Sequence, residues 1–134
     1  MTDRFARQAD LVPRDRLDNL TVTIICVGAV GRQVALQLAS GGVPRIQLID
    51  FDTVDETNIT TQRYGQQDLL QPKVEACRAT MANIDPDLDV AILQDRYRLT
   101  HAVGEVLFCC VDSITAREAI WRPSTSTTTT RCAA

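Results

Sequence analysis

Aromatic residues are scarce in this chain: three phenylalanines, two tyrosines and one tryptophan, 4% of 134 residues. Its core must therefore rest on aliphatic side chains, which a hydrophobic fraction of 45% supplies. Positive charge is not in surplus. Lys and Arg number 14 against 17 Asp and Glu, a net charge of −3, and the basic residues are scattered, which excludes an electrostatic footprint for nucleic acid. No apolar run approaches the length that crosses a bilayer, and none follows Met1-Thr-Asp-Arg4 as it would in a signal peptide. The expectation is a cytoplasmic protein with neither a nucleic-acid nor a membrane partner. Cys26, Cys77, Cys109, Cys110 and Cys132 form no Cys-x-x-Cys pair, and an odd count without a secretory signal argues for reduced thiols and against structural zinc. The vicinal Cys109-Cys110 reads as strand filler. The one histidine, His101, falls in a polar connector and is given no role.

What is present is organised around Thr21 to Asp50. Thr21 to Val27 is a β-branched apolar run with the pattern of a buried strand, and Gly28-Ala-Val-Gly31 is a small-residue turn. Arg32 to Ser40 carries Val34, Ala35, Leu38 and Ala39 at helical spacing, Gly41-Gly42 stops it, and Arg45 to Ile49 is a second strand ending in Asp50. Strand, glycine turn, helix, strand and acid make up a Rossmann-like βαβ nucleotide-binding unit. Backbone amides at such a turn can approach phosphates at a helix N-terminus, where the dipole favours anions. Asp50, 22 residues after Gly28, suits two vicinal ribose hydroxyls. The full fingerprint has three glycines; here Gly28 and Gly31 stand, while Cys26 and Ala29 occupy places where more glycine is usual. On these residues alone, a βαβ unit whose glycines only make a tight turn stays open.

Arg4 to Leu11 is a short amphipathic stretch and Pro13 to Asn19 a charged connector. Phe51 to Tyr64 is a long polar segment without periodicity at the carboxyl end of the second strand, where doubly wound sheets bind ligands. Gln71-Pro-Lys73 opens a helix with a core stripe of Val74, Cys77, Met81 and Ile84, ended by Asn83-Ile-Asp-Pro86. Leu88, Val90 and Ile92 alternate as a third strand. Val106 to Val111 is a continuous apolar run suited to a strand buried on both faces, followed by Asp112 and a helix from Ile114 to Trp121 capped by Ser113. The fold class is α/β, a doubly wound, mostly parallel sheet. Residues 1–121 form one nucleotide-binding domain, and residues 122–134, with Ser and Thr filling 124–130, read as a disordered low-complexity tail. Four separated pieces converge on one sheet edge: the glycine turn, Asp50 with its loop, Lys73 and Asp112. Together they supply an anion cradle, a ribose acceptor, a phosphate-binding cation and a Mg²⁺ ligand.

In these same residues the chain resembles the ThiF/MoeB/ubiquitin-activating adenylyltransferase superfamily. Arg4-Phe-Ala-Arg7-Gln8 is similar to its N-terminal Arg-Tyr-Ser-Arg-Gln, and Ile25 to Gly31 to its glycine loop. Asp50-Phe-Asp52-Thr-Val-Asp-Glu-Thr-Asn58 is similar to Asp-x-Asp-x-Val-Glu-x-x-Asn, Gln71-Pro-Lys73 to the helix-opening lysine, and Asp112-Ser-x-x-x-Arg117 to Asp-Asn-x-x-x-Arg. The resemblance runs in order from Arg4 to Trp121. It implies an ATP- and Mg²⁺-dependent adenylyltransferase that activates the C-terminal carboxylate of a ubiquitin-like or sulfur-carrier protein, working as a homodimer. By resemblance Gly28, Gly31 and Asp50 would hold the nucleotide, Lys73 would bind phosphates and Asp112 would hold Mg²⁺. Asp52, Asn58 and Gln62 would be polar contacts in the pocket, Arg117 would steady the loop around Asp112, and Arg7 would reach into a partner's site.

Two departures bear on activity. Thr61 stands where the family has a phosphate-binding arginine, and loss of one such group commonly costs about 2–4 kcal/mol of transition-state stabilisation. Either the site is weakened or another cation serves. Family members also continue with further strands, a groove for the protein substrate and often zinc cysteines, so the expectation is the nucleotide half of such an enzyme, truncated. Two rivals follow: an inactive nucleotide-binding module, and an NAD-dependent oxidoreductase built on the same βαβ unit. The lysine-opened helix and the Asp112 to Arg117 segment weigh against the second.

Overall fold

A computed structural model describes residues 3–124 and 131–133. After a short helix α1 (Arg14–Leu17) come β1 (Thr21–Ile25), α2 (Ala29–Gly41), β2 (Arg45–Ile49), α3 (Glu56–Gln62), α4 (Lys73–Ile84), β3 (Asp89–Leu93), β4 (Val106–Cys109), α5 (Ile114–Ser124) and β5 (Arg131–Ala133). The strands are all parallel in the order β3-β2-β1-β4-β5. This is the doubly wound α/β sheet expected. Successive strands are added outward on one side from β1 to β3, and β4 then returns to the other side of β1, so the crevice outside the carboxyl ends of β1 and β4 is the topological switch point.

Alternation along the strands divides the core. Val22 and Ile24 of β1 with Ile46 and Leu48 of β2 meet Ala35 and Ala39 of α2 and Val74, Cys77 and Met81 of α4 on one face. Ile25, Leu107 and Cys109 meet Ile120 of α5 on the other. Fully burying each large aliphatic side chain contributes about 1.5–3 kcal/mol. The expected stripe Val74, Cys77 and Met81 is buried, and Ile84 packs against it. A third cluster of Val54, Tyr64 and Ala76 lies beside the sheet's carboxyl edge.

Several details differ from expectation. The segment after β2, read as a loop without periodicity, contains α3. Asp55 caps it, its carboxylate accepting the Asn58 amide while the Asn58 side chain accepts the Asp55 amide. Only Asn58 of that helix is buried, so no apolar stripe announces it. Helix α2 begins at Ala29 rather than Arg32, taking in Gly31. Strand β4 ends at Cys109 and buries alternate residues rather than all of them. Within the stretch read as a tail, residues 122–134, α5 runs to Ser124 and β5 pairs with the edge of β4, where unpaired backbone groups invite a strand. Residues 125–130 and 134, on which the rest of that expectation falls, lie outside the described residues. Among the described residues no helix is long and apolar enough to cross a membrane.

Candidate functional site

The turn after β1 is held by close packing. The Cys26 amide donates to the Ile49 carbonyl at 2.8 Å, and Cys26 sits at φ 73°. That left-handed backbone is glycine territory and costs another residue about 1–2 kcal/mol. Cys26 therefore fills the first glycine place of the fingerprint in conformation though not in side chain. A Cβ on Gly31 would stand 1.8 Å from the Cys26 carbonyl oxygen, so only glycine lets α2 start this close to β1. Gly28 is different. A Cβ there would meet nothing nearer than the Gln62 amide nitrogen at 3.6 Å and would occupy the space in front of the turn. No side chain caps α2, and the first amides of a helix have no partner within it, so an anion can take them.

Asp50 clamps this turn to the end of β2. It is 5% exposed, and its two oxygens accept the Val27 amide at 2.9 Å and the Asp52 amide at 2.8 Å. From there the chain folds back onto the start of α4. Thr53 bridges Pro72, the Val54 amide donates to the Gln71 carbonyl, and the Lys73 amide donates to the Asp52 carbonyl at 2.9 Å. Lys73, first residue of α4 and 5% exposed, thereby sits with its ammonium 3.6 Å from the Asp52 carboxylate. Burial, helped by the charge of Asp50, pushes the Cys26 thiol up to about 11, and burial pushes the Cys77 thiol up to about 12. The Tyr64 phenol is raised too, first by burial.

The structure thus brings Gly28, Gly31, Asp50, Asp52, Lys73 and Gln62 to one place. Gln62 stands against the turn, and its buried carbonyl oxygen has no hydrogen-bond partner. Asn58 is buried one turn before it in α3, but its side-chain carbonyl oxygen is spent on the Asp55 cap. Asp112 is exposed on the same edge. Ile25 pairs with Cys109 and the Cys110 amide donates to Ile25, so Asp112 follows the carboxyl end of the strand beside β1, at the switch point. The Arg117 guanidinium donates to the Val111 carbonyl at 2.9 Å and so ties α5 to the residue before Asp112. Arg7 is not brought in. The N-terminal segment is fastened to the far end of α2, with Gln8 donating to the Gly41 carbonyl, and the 13 residues of α2 rise about 20 Å. Among the described residues no group of three or more His, Cys, Asp or Glu could hold a metal, so a Mg²⁺ ion here would need phosphate oxygens beside a carboxylate.

Two further residues went unnoticed in the sequence. Arg32 is 6% exposed and lies over the Tyr64 ring at 5.2 Å, and the Tyr64 hydroxyl donates to the Val27 carbonyl at 2.5 Å. One signal could have found Arg32. It shares the i, i+3, i+7 stripe of α2 with Ala35 and Ala39, where a charge is out of place.

Comparison with known proteins decides the family, because the ThiF family matches residues 4–132. The chain belongs to the ThiF family. A tRNA threonylcarbamoyladenosine dehydratase of Bacillus subtilis is 37% identical over 101 residues, covering 72% of this chain and 40% of the relative. A sulfur carrier protein ThiS adenylyltransferase of Escherichia coli is 30% identical over 113 residues, covering 80% of this chain and 45% of the relative. The ThiF chain described here thus spans less than half the length of either curated relative. The crystal structure of an E. coli tRNA N6-threonylcarbamoyladenosine dehydratase in complex with ATP superposes with a TM-score of 0.77 at 24% identity, covering 91% of this chain and 56% of that one, and this likeness shows the shared fold.

Proposed function

We propose that this chain is the nucleotide-binding part of an ATP-dependent adenylyltransferase, acting in the cytoplasm as a homodimer on the C-terminal carboxylate of a ubiquitin-like or sulfur-carrier protein. The observation that carries the reading is the pairing of buried Lys73 with Asp52 beside an uncapped helix N-terminus whose turn is clamped by Asp50. A dehydrogenase has no need of that lysine. The carboxylate oxygen of the carrier would form a bond to the α-phosphorus as the bond to the bridging oxygen breaks and pyrophosphate leaves. Both reactants are anions, so the task is charge neutralisation and alignment rather than proton removal.

Lys73 and the amides of α2 would take phosphate charge. The Asp50 oxygens, each with a lone pair beyond the amide it already accepts, would receive the ribose hydroxyls. Asp112 would hold Mg²⁺, which when bound neutralises the triphosphate. Asp52, Asn58 and Gln62 would line the pocket. Arg7, fastened at the far end of α2, would serve a partner's site rather than its own.

The named activities of the relatives include a tRNA dehydratase as well as a carrier adenylyltransferase. The net charge of −3 favours the protein acceptor. Acceptor-dependent ATP–pyrophosphate exchange, run with a carrier protein and separately with tRNA, tests this. Little exchange is expected from these 134 residues alone and carrier-dependent exchange once an acceptor-binding half is joined to them; stimulation by tRNA alone would reassign the acceptor, and preferential binding of NAD over Mg²⁺–ATP would remove the adenylyltransferase reading.

A further inference from the structure

We propose that Arg32 is a phosphate-binding residue of this site, the cation that takes the polyphosphate of a nucleoside triphosphate in front of the α2 N-terminus. The inference rests on the nucleotide-binding reading above and adds to it a residue that no motif supplied. An arginine carries its charge permanently and presents five donors. Arg32 is 6% exposed, yet no carboxylate among the described residues lies within the 4.0 Å of an ion pair. Its Nε is buried with no hydrogen-bond partner. The Tyr64 ring at 5.2 Å offsets only part of the cost of burying such a charge. A buried guanidinium that no carboxylate of the described fold pairs can take an anion from outside it.

The position of Arg32 says where that ligand lies. Side chains of a helix lean toward its N-terminus, so from the fourth residue of α2 this one runs back toward the glycine turn. Tyr64, beneath the guanidinium, is bonded to Val27, the residue before Gly28. Gln62, whose side-chain carbonyl oxygen is, with Arg32 Nε, one of two unpartnered buried side-chain polar atoms among the described residues, stands against Gly28. An unsatisfied donor and an unsatisfied acceptor thus border one turn whose amides are also uncapped. A nucleotide has what each lacks: phosphate oxygens for Arg32 and the amides, and a hydroxyl or amino donor for Gln62. Thr61 offers no competing cation. It is exposed, and its hydroxyl donates to the Thr57 carbonyl at 2.7 Å.

The test measures binding of Mg²⁺–ATP, adenosine and tripolyphosphate by calorimetry to the full chain and to Arg32→Met and Arg32→Lys, with the unfolding temperature of each free protein. Arg32→Met should lose at least tenfold in affinity for ATP and for tripolyphosphate and keep adenosine within twofold. Its free form should melt no lower than the wild type, since an unpaired buried charge has gone. Arg32→Lys should fall between. ATP affinity within twofold of wild type in Arg32→Met overturns the inference and leaves the nucleotide reading standing. A lowered melting temperature with adenosine and ATP lost in parallel makes Arg32 structural and overturns it too. Arg32-dependent binding of tripolyphosphate with no binding of ATP or adenosine would keep the anion site and remove the nucleotide. Wild-type protein that binds none of the three removes both.

Discussion

Replacing Asp50 by Asn removes one charge and changes almost no volume, yet it should be costly before any nucleotide is present. Both carboxylate oxygens accept backbone amides, from Val27 at 2.9 Å and Asp52 at 2.8 Å, at a residue 5% exposed. An asparagine can face only one of those amides with oxygen. The other then meets an NH₂ group, donor against donor. A hydrogen bond to a charged group contributes about 1.5–3 kcal/mol, and an orphaned buried donor costs a comparable amount. The expected loss is about 2–4 kcal/mol, set against a total of about 5–15 kcal/mol for a domain of this kind. Cys26 adds to the load, because this clamp is among the contacts holding it at φ 73°. For a chain of this size the unfolding temperature should fall by about 8–15 °C. Urea unfolding gives the free energy and calorimetry the temperature. Asp50→Ala, losing both acceptors, should fall further. An Asp50→Asn midpoint equal to that of the wild type would refute the clamp. The consequence for function is practical: loss of ATP binding in an Asp50 variant speaks for a ribose contact only at a temperature where that variant is folded.

The two glycines should separate cleanly. Gly31→Ala places a methyl 1.8 Å from the Cys26 carbonyl oxygen and should destabilise by about 3 kcal/mol or more, whereas Gly28→Ala should melt near the wild type and lose nucleotide binding; equal melting temperatures would contradict the packing. Raised folded-state values at Cys26 and Cys77, about 11 and about 12 against 9 when unfolded, mean that their contribution to stability is complete below pH 9 and is lost as pH rises toward 11–12. The urea midpoint should therefore drop between pH 8 and pH 10, and drop less in Cys77→Ala; an unchanged midpoint would count against this burial. Lys73→Met should weaken ATP binding at every Mg²⁺ concentration, while Asp112→Asn should shift the Mg²⁺ dependence alone, both read by titration; wild-type curves from both variants would remove these roles.

How much of this was legible follows from which forces hold each part. The strand–turn–helix–strand unit and Asp50 could be read because period, glycine and acid lie close together in the chain. Helix α3 could not, because a capping box of Asp55 and Asn58 holds it and only one of its residues is buried. Cys26 hid a glycine conformation behind a side chain that rarely adopts it, although its place two residues before Gly28 marks the spot. Arg32 was easily passed over for the opposite reason: an arginine after a turn looks solvated, and only its place on the stripe of Ala35 and Ala39 signals that it is buried.

These hidden parts depend on a single closure. Residues 51–72 are folded back onto α4 by the Thr53–Pro72 bridge and by Val54 and Tyr64, which are 0% and 2% exposed and pack on Ala76. That packing sets Asp52 under Lys73, stands Gln62 against Gly28 and puts the Tyr64 ring beneath Arg32. The sequence shows each of these residues as an isolated polar or aromatic position, since what unites them is one buried valine and one tyrosine hydroxyl on the Val27 carbonyl. Two of the partners so assembled, Arg32 and Gln62, are left with buried polar atoms unsatisfied. Folding alone gains nothing from that arrangement, and a ligand that completes both groups gives it a reason to persist.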